Sequence, residues 1–242
     1  MVGQNRLWAQ GPGWEDPAVE DGGMFTEELW EAASPVYQAI LEHPFLAGLR
    51  AGTLPPDRFR FFLEQDRLFL DSYARSLTLM AARAPSAEAI LLFSRECAGA
   101  IEAERELEEQ LLAAIGEPAP PIAQDAPAPT TMAYGNYLLG SCWLGSFAEA
   151  LGAVLPCYWV YFEVGRDLSR SGSPSPIYQR WIDNYASPEF GAVVTRVRAL
   201  MDIEGTHLSQ DQRDSVTRHF VAAARYEWMF WQMAWQLESW PI

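Results

Sequence analysis

Three polar side chains, Asp66, Cys157 and Glu227, stand at positions where helical spacing surrounds them with apolar residues. A carboxyl group in such surroundings must be paired, hydrogen-bonded or protonated, because an isolated buried charge is very costly. Burial also raises the pKa of a carboxyl group, and a raised pKa suits a general acid that works near neutral pH. The two carboxyl groups are therefore candidates for acid–base chemistry, and the thiol is a candidate nucleophile.

The two carboxyl groups have the same kind of helical neighbours. Glu227 is the only acid between Asp214 and Glu238, and the residues three and four positions away are alanine, phenylalanine and tryptophan. Asp66 has phenylalanine and leucine at the same spacings. For both, a purely structural role remains open, in which a tyrosine or tryptophan side chain, a partner hydroxyl or a backbone group satisfies the carboxyl group.

Cys157 lies in the segment GAVLPCYWVYFEVG, directly after Pro156. A cysteine among apolar residues is usually an inert small hydrophobe, and this is the alternative to a catalytic role. Reactivity requires a proton acceptor or a cationic ring close to the thiol. Pro156 predicts a kink in the helix that carries Cys157, and such a kink could aim side chains from two faces into one pocket.

Other chemistries lack their sequence signatures. The three histidines are too few and too scattered for a Ser-His-Asp system or a di-metal cluster. There is no HExxH motif, Walker loop or GxGxxG motif that opens a helix. The three cysteines are odd in number and lack CxxC spacing, so neither a zinc site nor a disulfide framework is indicated. Metal, nucleotide and dinucleotide chemistry are therefore not indicated, and we expect a reducing, cytoplasmic compartment.

The composition limits the partners. The formal net charge of −15 would repel a nucleic-acid phosphate backbone and an anionic membrane, and no stretch approaches the length of a membrane span. Residues 1–25 lack a basic start and a continuous apolar run, so we do not expect a secretory signal there. Aromatic residues make up 13% of the chain, with ten tryptophans, which fits either a large aromatic core or a pocket that holds a flat heterocycle.

The elements that must position these side chains are predicted to be helices. Apolar residues recur at spacings of three and four, and no run of alternating β-branched residues is present, so the predicted fold class is all-α. Residues 1–25 are predicted to be a disordered or flexible extension, and residues 26–242 a single helical bundle domain. Helices are predicted over residues 26–42, 55–84, 86–116, 130–144, 146–170, 176–186, 189–204 and 209–238.

Helix starts and breaks follow from particular residues. Thr26 and Ser86 are predicted N-caps, and Ser209 with Gln212 predicts a capping box for the last helix. The segment 117–129 holds five prolines and cannot continue a helix, so it is predicted to be the main internal loop.

A family signature lies in two segments, HPFLAGLRAGTLPPDRFRFFLEQD at 43–66 and SFAEALGAVLPCYWVYFEVG at 146–165. Both closely resemble the TenA, or thiaminase II, family. Further matches are PIYQRWIDNYAS at 176–187 and ARYEWMFWQMAW at 224–235, so the resemblance extends over roughly residues 26–240. Several ordered motifs in one chain are far more specific than a single motif.

The resemblance implies a heme oxygenase-like helical fold without heme, usually in a homotetramer. It also implies a role in salvage of the thiamin pyrimidine, with no metal or organic cofactor. The usual reaction of the family is hydrolytic removal of the amino group from the aminomethyl substituent of 4-amino-5-aminomethyl-2-methylpyrimidine, which gives the hydroxymethyl pyrimidine. Thiamin itself is cleaved too.

The resemblance assigns roles to the three polar residues. Cys157 matches the nucleophile that adds to the pyrimidine ring, and Glu227 matches the acid that protonates a ring nitrogen or the departing group. Asp66 matches the carboxylate that binds the ring amino group and its neighbouring nitrogen. Addition of the thiolate breaks the aromaticity of the ring and lets the side arm leave.

The resemblance also assigns the pocket walls. Tyr134, Tyr161 and Tyr185 match tyrosines that stack on the substrate or hydrogen-bond to it. Phe69 stands where several members carry a pocket tyrosine, so one hydroxyl is missing from the site and the substrate preference is open. Arg67, beside Asp66, suggests a charge near the pocket mouth that could favour a different, anionic substrate.

Two alternatives to an aminopyrimidine hydrolase remain from the sequence. One is a non-catalytic pyrimidine-binding or regulatory protein that keeps the pocket. The other is a di-metal oxidase on the same fold, which would need several inward carboxylates with histidine partners at helical spacing, and these are missing from the sequence.

Overall fold

The computed structural model of the protein describes residues 24–116 and 127–242, apart from the side chains of residues 103 and 104. The regular elements in this part of the chain are ten α-helices and one π-helical turn. The α-helices are α1 (Phe25–Leu41), α2 (Pro44–Ala51), α3 (Pro56–Arg83), α4 (Ala87–Gly99), α5 (Arg105–Ile115), α6 (Pro129–Leu144), α7 (Phe147–Ser169), α8 (Pro176–Tyr185), α9 (Pro188–Gly205) and α10 (Gln210–Gln236). The all-α prediction is confirmed.

Several helix starts follow the predicted local chemistry. The Ser86 side chain accepts a hydrogen bond from the amide of Ala89 at the start of α4. Ser209 and Gln212 form the predicted capping box of α10. Helix α3 begins at Pro56, with Pro55 at the N-cap. Proline suits a first helical position because the amide hydrogen it lacks would have no partner within the helix there.

Three predicted details are wrong. Thr26 does not cap α1, because the helix already begins at Phe25 and both the amide and the hydroxyl of Thr26 donate to the Asp202 carboxylate. Helix α2 was not predicted, although His43 caps it by accepting from the amide of Phe45. The predicted helix over 86–116 is divided into α4 and α5 by the π-helical turn Ala100–Glu104.

Two predicted features fall wholly or mostly outside the described residues. These are the N-terminal extension, predicted over 1–25, and the proline-rich loop, predicted over 117–129. The described part of the second segment begins at Pro127, and α6 already starts at Pro129.

Helices α3, α6, α7 and α10 pack together around the middle of the molecule, and α8 and α9 pack on α7. The interface between α7 and α8 is unusually close at Gly165, where an added Cβ would lie 2.7 Å from the backbone carbonyl carbon of Tyr185. Pro156 lies inside α7, which continues through it. The buried core is rich in aromatic rings, and the largest fully buried side chains include Trp181, Trp231 and Tyr134.

Candidate active site

One cavity lies at the meeting point of α3, α6, α7, α8 and α10, with Phe190 of α9 also in its wall. Its lining includes all seven side chains singled out from the sequence: Asp66, Phe69, Tyr134, Cys157, Tyr161, Tyr185 and Glu227. They come from five helices that are far apart in sequence, and the fold brings them into one place.

The cavity is narrow in this structure. The space that atoms leave empty is about 440 Å³ including the opening to solvent, but the cavity itself has a volume of only about 30 Å³, roughly the share of one water molecule. Its walls lie close together, so a bound heterocycle requires the side chains to separate slightly.

Tyr134 joins the candidate nucleophile to the candidate acid. The Tyr134 hydroxyl donates a hydrogen bond of 2.5 Å to Oε1 of Glu227. The hydroxyl oxygen of Tyr134 also lies 3.0 Å from Sγ of Cys157. A tyrosine has one O–H to donate, so with that hydrogen on Glu227 the thiol is the donor to the tyrosine oxygen. The single S–H of Cys157 can point to the tyrosine oxygen or to the Glu227 carboxyl group, and its interaction with Glu227 lowers the pKa of that carboxyl group. A proton can therefore pass from Cys157 to Glu227 directly or through the Tyr134 hydroxyl.

Glu227 is a buried carboxyl group with an unusual pKa. Its side chain is almost fully buried, and burial raises its pKa to about 8, against the lowering effect of the hydrogen bonds from Tyr134 and Cys157. The nearby Asp66 carboxyl group raises this pKa further. Glu227 consequently exchanges its proton near neutral pH, as an acid–base catalyst must.

Asp66 lines the cavity from α3, and its pKa is also shifted. Burial raises it to about 7, and a side-chain hydrogen bond with Glu108 opposes this rise. Asp66 and Glu227 are thus two carboxyl groups of one cavity that both titrate near neutral pH. Perturbed pKa values clustered in one cavity are typical of active sites.

Aromatic rings form the walls of the cavity. Phe69 stacks on Tyr134 with ring centroids 4.9 Å apart, and Tyr161 packs against Tyr185 at the same distance. Burial raises the pKa of Tyr134 and Tyr161 well above the usual range, so both keep their hydroxyl protons. Such walls offer flat surfaces for stacking and hydroxyl groups for hydrogen bonds.

Metal sites and membrane-spanning helices are both absent from the residues that the structure describes. No group of three or more His, Cys, Asp or Glu side chains in 24–116 and 127–242 is arranged to hold a metal ion. None of the helices in these two ranges is long and apolar enough to cross a membrane.

Sequence comparison places these residues in a known family. The family model described as TENA/THI-4/PQQC matches residues 30–237. The chain belongs to this family. It is 33% identical over 218 residues to an aminopyrimidine aminohydrolase of Halalkalibacterium halodurans, covering 89% of this chain and 97% of that protein. It is 32% identical over 216 residues to an aminopyrimidine aminohydrolase of Bacillus subtilis, covering 89% and 92%.

Solved structures agree with the TenA family resemblance. A TenA homologue from Pyrococcus horikoshii superposes with a TM-score of 0.79 and 28% identity, covering 88% of this chain and 99% of that one. A domain of unknown function with a heme oxygenase-like fold from Shewanella denitrificans superposes with a TM-score of 0.68, covering 91% and 94%. At 13% identity this second likeness concerns the fold alone. The predicted heme oxygenase-like fold is confirmed.

Sequence reasoning missed several residues of the TenA-type cavity. Tyr73 and Tyr158 line it, as do Leu70, Phe190 and Phe230. Tyr73 lies two helical turns from Asp66 and Tyr158 follows Cys157, so helical spacing and adjacency could have indicated both. Glu108 stands behind Asp66 in an acid-rich segment, and nothing in its sequence neighbours marks it as different from the other acids there.

The two departures from the family pattern have different outcomes. Phe69 does line the cavity, so the hydroxyl that several TenA members carry is missing from this wall. Arg67 is exposed and lies outside the cavity lining, close enough to Glu64 to lower the pKa of that carboxyl group. An anionic substrate therefore has no support from the position of Arg67.

Proposed function

We propose that this protein is an aminopyrimidine aminohydrolase of thiamin salvage. Its substrate would be 4-amino-5-aminomethyl-2-methylpyrimidine, converted with water to the hydroxymethyl pyrimidine and ammonia, and thiamin would be cleaved as well. The observation that carries the proposal is the contact of the Tyr134 hydroxyl with both Cys157 and Glu227. The relatives named aminopyrimidine aminohydrolase, which align over most of the chain, support the substrate class.

In this proposal the reactive state of the site holds one proton between Cys157 and Glu227. Because the pKa of Glu227, about 8, lies near that of an ordinary thiol, roughly 8.5, moving the thiol proton to the Glu227 carboxylate costs little. The thiolate then forms a bond to a ring carbon, and the proton on Glu227 goes to a ring nitrogen or to the departing amine. At lower pH Glu227 is already protonated, so the thiol proton has no acceptor and the rate falls.

The remaining polar groups would hold the ring. The Asp66 carboxyl group, on the cavity wall, would hydrogen-bond the ring amino group and the nitrogen beside it. The rings of Tyr161 and Tyr185 would contact the faces of the pyrimidine. After ammonia leaves, water adds to the exocyclic carbon, and the bond between sulfur and ring breaks to return the free thiol.

The direct test uses the aminomethyl pyrimidine and thiamin as substrates for the wild type and for Cys157→Ala. We expect the variant to fold and to lose at least about a thousand-fold in kcat, as enzymes do without a nucleophile. Cys97→Ala is the matched control, because Cys97 is half-buried like Cys157 and lies outside the cavity lining. Full activity of Cys157→Ala would refute the role of the thiol.

The same assay separates an enzyme from a binding protein. Tight binding of the hydroxymethyl pyrimidine by the wild type, without turnover of either substrate, would favour a non-catalytic protein and contradict the proposed hydrolase.

We also propose that the protein forms a homo-oligomer, as the tetramers implied by the family resemblance do. Trp143 and Leu144, at the end of α6, expose 69% and 83% of their surface in the single chain. Large apolar side chains with this exposure are often covered in an assembly. Sedimentation of the wild type and of Trp143→Glu tests it: we expect a tetramer that the substitution weakens, and a monomeric wild type would contradict the proposal.

A further inference from the structure

The start of α6 is held by side chains from outside the helix. Its N-cap residue, Ala128, has no side chain that could accept a hydrogen bond from the first turn. Instead, the Glu238 carboxyl group accepts a hydrogen bond of 2.9 Å from the amide of Thr130. Gln65 of α3 accepts hydrogen bonds from the amide of Ala128 at 2.8 Å and from the Thr131 hydroxyl at 2.7 Å. Amides in the first turn of a helix lack partners within it, so these contacts fix where α6 begins.

Glu238 reaches α6 from the short segment that follows α10. The residue after this helix, Leu237, has a φ of 54°, in the left-handed region that favours glycine. A leucine stays in this region only where its surroundings hold it, so the turn after α10 is well determined. Two residues beyond Glu238, the Trp240 indole donates a hydrogen bond of 3.0 Å to the carbonyl oxygen of Pro127. Residues 237–240 thus connect the end of α10 with the start of α6.

The side chain that α6 brings to the cavity lies one helical turn from this cap. Tyr134 follows Thr130 by four residues, so the helical hydrogen bond between residues four apart joins them directly. The Tyr134 hydroxyl donates to Oε1 of Glu227 at 2.5 Å and lies 3.0 Å from Sγ of Cys157. The strength of a hydrogen bond depends on its distance and angle, so a small displacement of α6 changes both contacts.

We propose that Glu238 is a positioning residue: by capping α6 from the segment after α10, it holds the Tyr134 hydroxyl in contact with both Cys157 and Glu227. Glu227 lies on α10 and Tyr134 on α6, so a link between the end of α10 and the start of α6 sets the distance between these two side chains. The link keeps the route by which the thiol proton reaches the Glu227 carboxylate. Its kinetic consequence rests on the proposed function, whereas its effect on the thiol does not.

The groups that interact with Glu227 come from several helices. Asp66 of α3, Cys157 of α7 and Tyr134 of α6 all act on its pKa. Tyr161 of α7 interacts with it electrostatically as well. The hydrogen bond that Tyr134 donates lowers the pKa of Glu227. If α6 shifts and this bond lengthens, the pKa of Glu227 rises, so the acid limb of kcat/KM moves to higher pH.

Two substitutions of Glu238 separate positioning from the mere presence of a side chain. Glu238→Ala removes the cap, and Glu238→Gln keeps an oxygen that can accept the Thr130 amide. In Glu238→Ala we expect the acid limb of kcat/KM to move up by about half a pH unit, which lowers activity at neutral pH about three-fold, while Glu238→Gln stays near wild type. Ser86→Ala is the matched control, because Ser86 caps α4 by accepting the Ala89 amide at 3.2 Å and lies outside the cavity lining. It should lower thermal stability about as much as Glu238→Ala and leave the pH profile unchanged.

A second measurement needs no substrate. The rate at which iodoacetamide alkylates Cys157 follows the thiolate fraction of that residue, and peptide mass spectrometry distinguishes it from Cys97 and Cys142. The Tyr134 hydroxyl stabilises the negative charge that the thiol and the Glu227 carboxyl group share. We therefore expect the midpoint of the alkylation rate against pH to rise by about half a unit when the cap is removed by alanine, and to stay in place in the glutamine variant and in the α4 control.

Two results would overturn the proposal. An alkylation profile of Glu238→Ala that matches the wild type would show that the cap does not position Tyr134. An equal shift in Ser86→Ala would show that a general loss of stability causes the change. A protein with the expected alkylation shift but no turnover of an aminopyrimidine would refute the proposed function and support the positioning role of Glu238.

Discussion

Replacing Tyr134 by phenylalanine removes one oxygen atom from the centre of the site. That oxygen contacts Oε1 of Glu227 at 2.5 Å and Sγ of Cys157 at 3.0 Å. The ring itself remains, so its stacking on Phe69 and on Tyr226 is retained. The substitution therefore changes the electrostatics of Glu227 much more than the shape of the cavity.

The size of the effect follows from the lost hydrogen bond. A hydrogen bond to a charged group contributes about 1.5–3 kcal/mol, which corresponds to about one to two pKa units. The bond from Tyr134 lowers the pKa of Glu227, which burial holds at about 8. Its removal raises that pKa, so the acid limb of kcat/KM moves to higher pH by about one to two units, and activity at neutral pH falls about ten- to hundred-fold.

The assay is ammonia release from the aminomethyl pyrimidine as a function of pH. For the wild type we expect kcat/KM to rise with pH through a midpoint near 8, the pKa of Glu227. Tyr137→Phe is the matched control, because the Tyr137 hydroxyl, one helical turn away, bonds to His219 at 2.8 Å. An unchanged acid limb in Tyr134→Phe would refute the link between this hydroxyl and Glu227.

Two further substitutions test how the site is held. Gly165→Ala places a Cβ 2.7 Å from the Tyr185 backbone. We expect thermal unfolding to show that the free energy of unfolding falls by about 1–3 kcal/mol, and we expect pyrimidine binding to weaken. Gly140→Ala is the matched control, because Gly140 lies on α6 with open space around it; we expect this substitution to leave stability unchanged or to raise it by about 0.5–1 kcal/mol. If Gly165→Ala and Gly140→Ala changed stability equally, the close approach of α7 and α8 would be contradicted. Gln65→Leu removes the buried acceptor for the Thr131 hydroxyl and for an amide at the start of α6. We expect about 1–3 kcal/mol lower stability in denaturant unfolding, and no change would contradict the importance of these bonds.

Much of the fold was predictable from local signals. Apolar spacing indicated helices, and side-chain caps such as Ser86 and Ser209 marked their starts. Helix α2 was missed because eight residues show too little periodicity, although His43 and Pro44 form a start signal. The π-helical turn Ala100–Glu104 inserts into an otherwise continuous helical pattern, so no sequence period revealed it.

The site was predictable where polarity conflicts with its surroundings. Asp66 and Glu227 stood out because helical spacing placed each of them among apolar residues. Cys157 also stood among apolar residues, but a cysteine in such a place is usually inert, so its catalytic role rested on the family resemblance. Glu108 could not be found, since its burial depends on α5 packing on α3, and its neighbours in sequence include other acids that stay on the surface.

A crystal structure with the hydroxymethyl pyrimidine bound tests the central claim most directly. We expect the ring in the cavity between α3, α7 and α10, with its amino edge on Asp66 and a ring carbon within about 3.5 Å of the Cys157 sulfur, the distance of a near-attack arrangement. A ring bound outside this cavity, or one turned so that Cys157 and Glu227 touch only its substituents, would contradict the account.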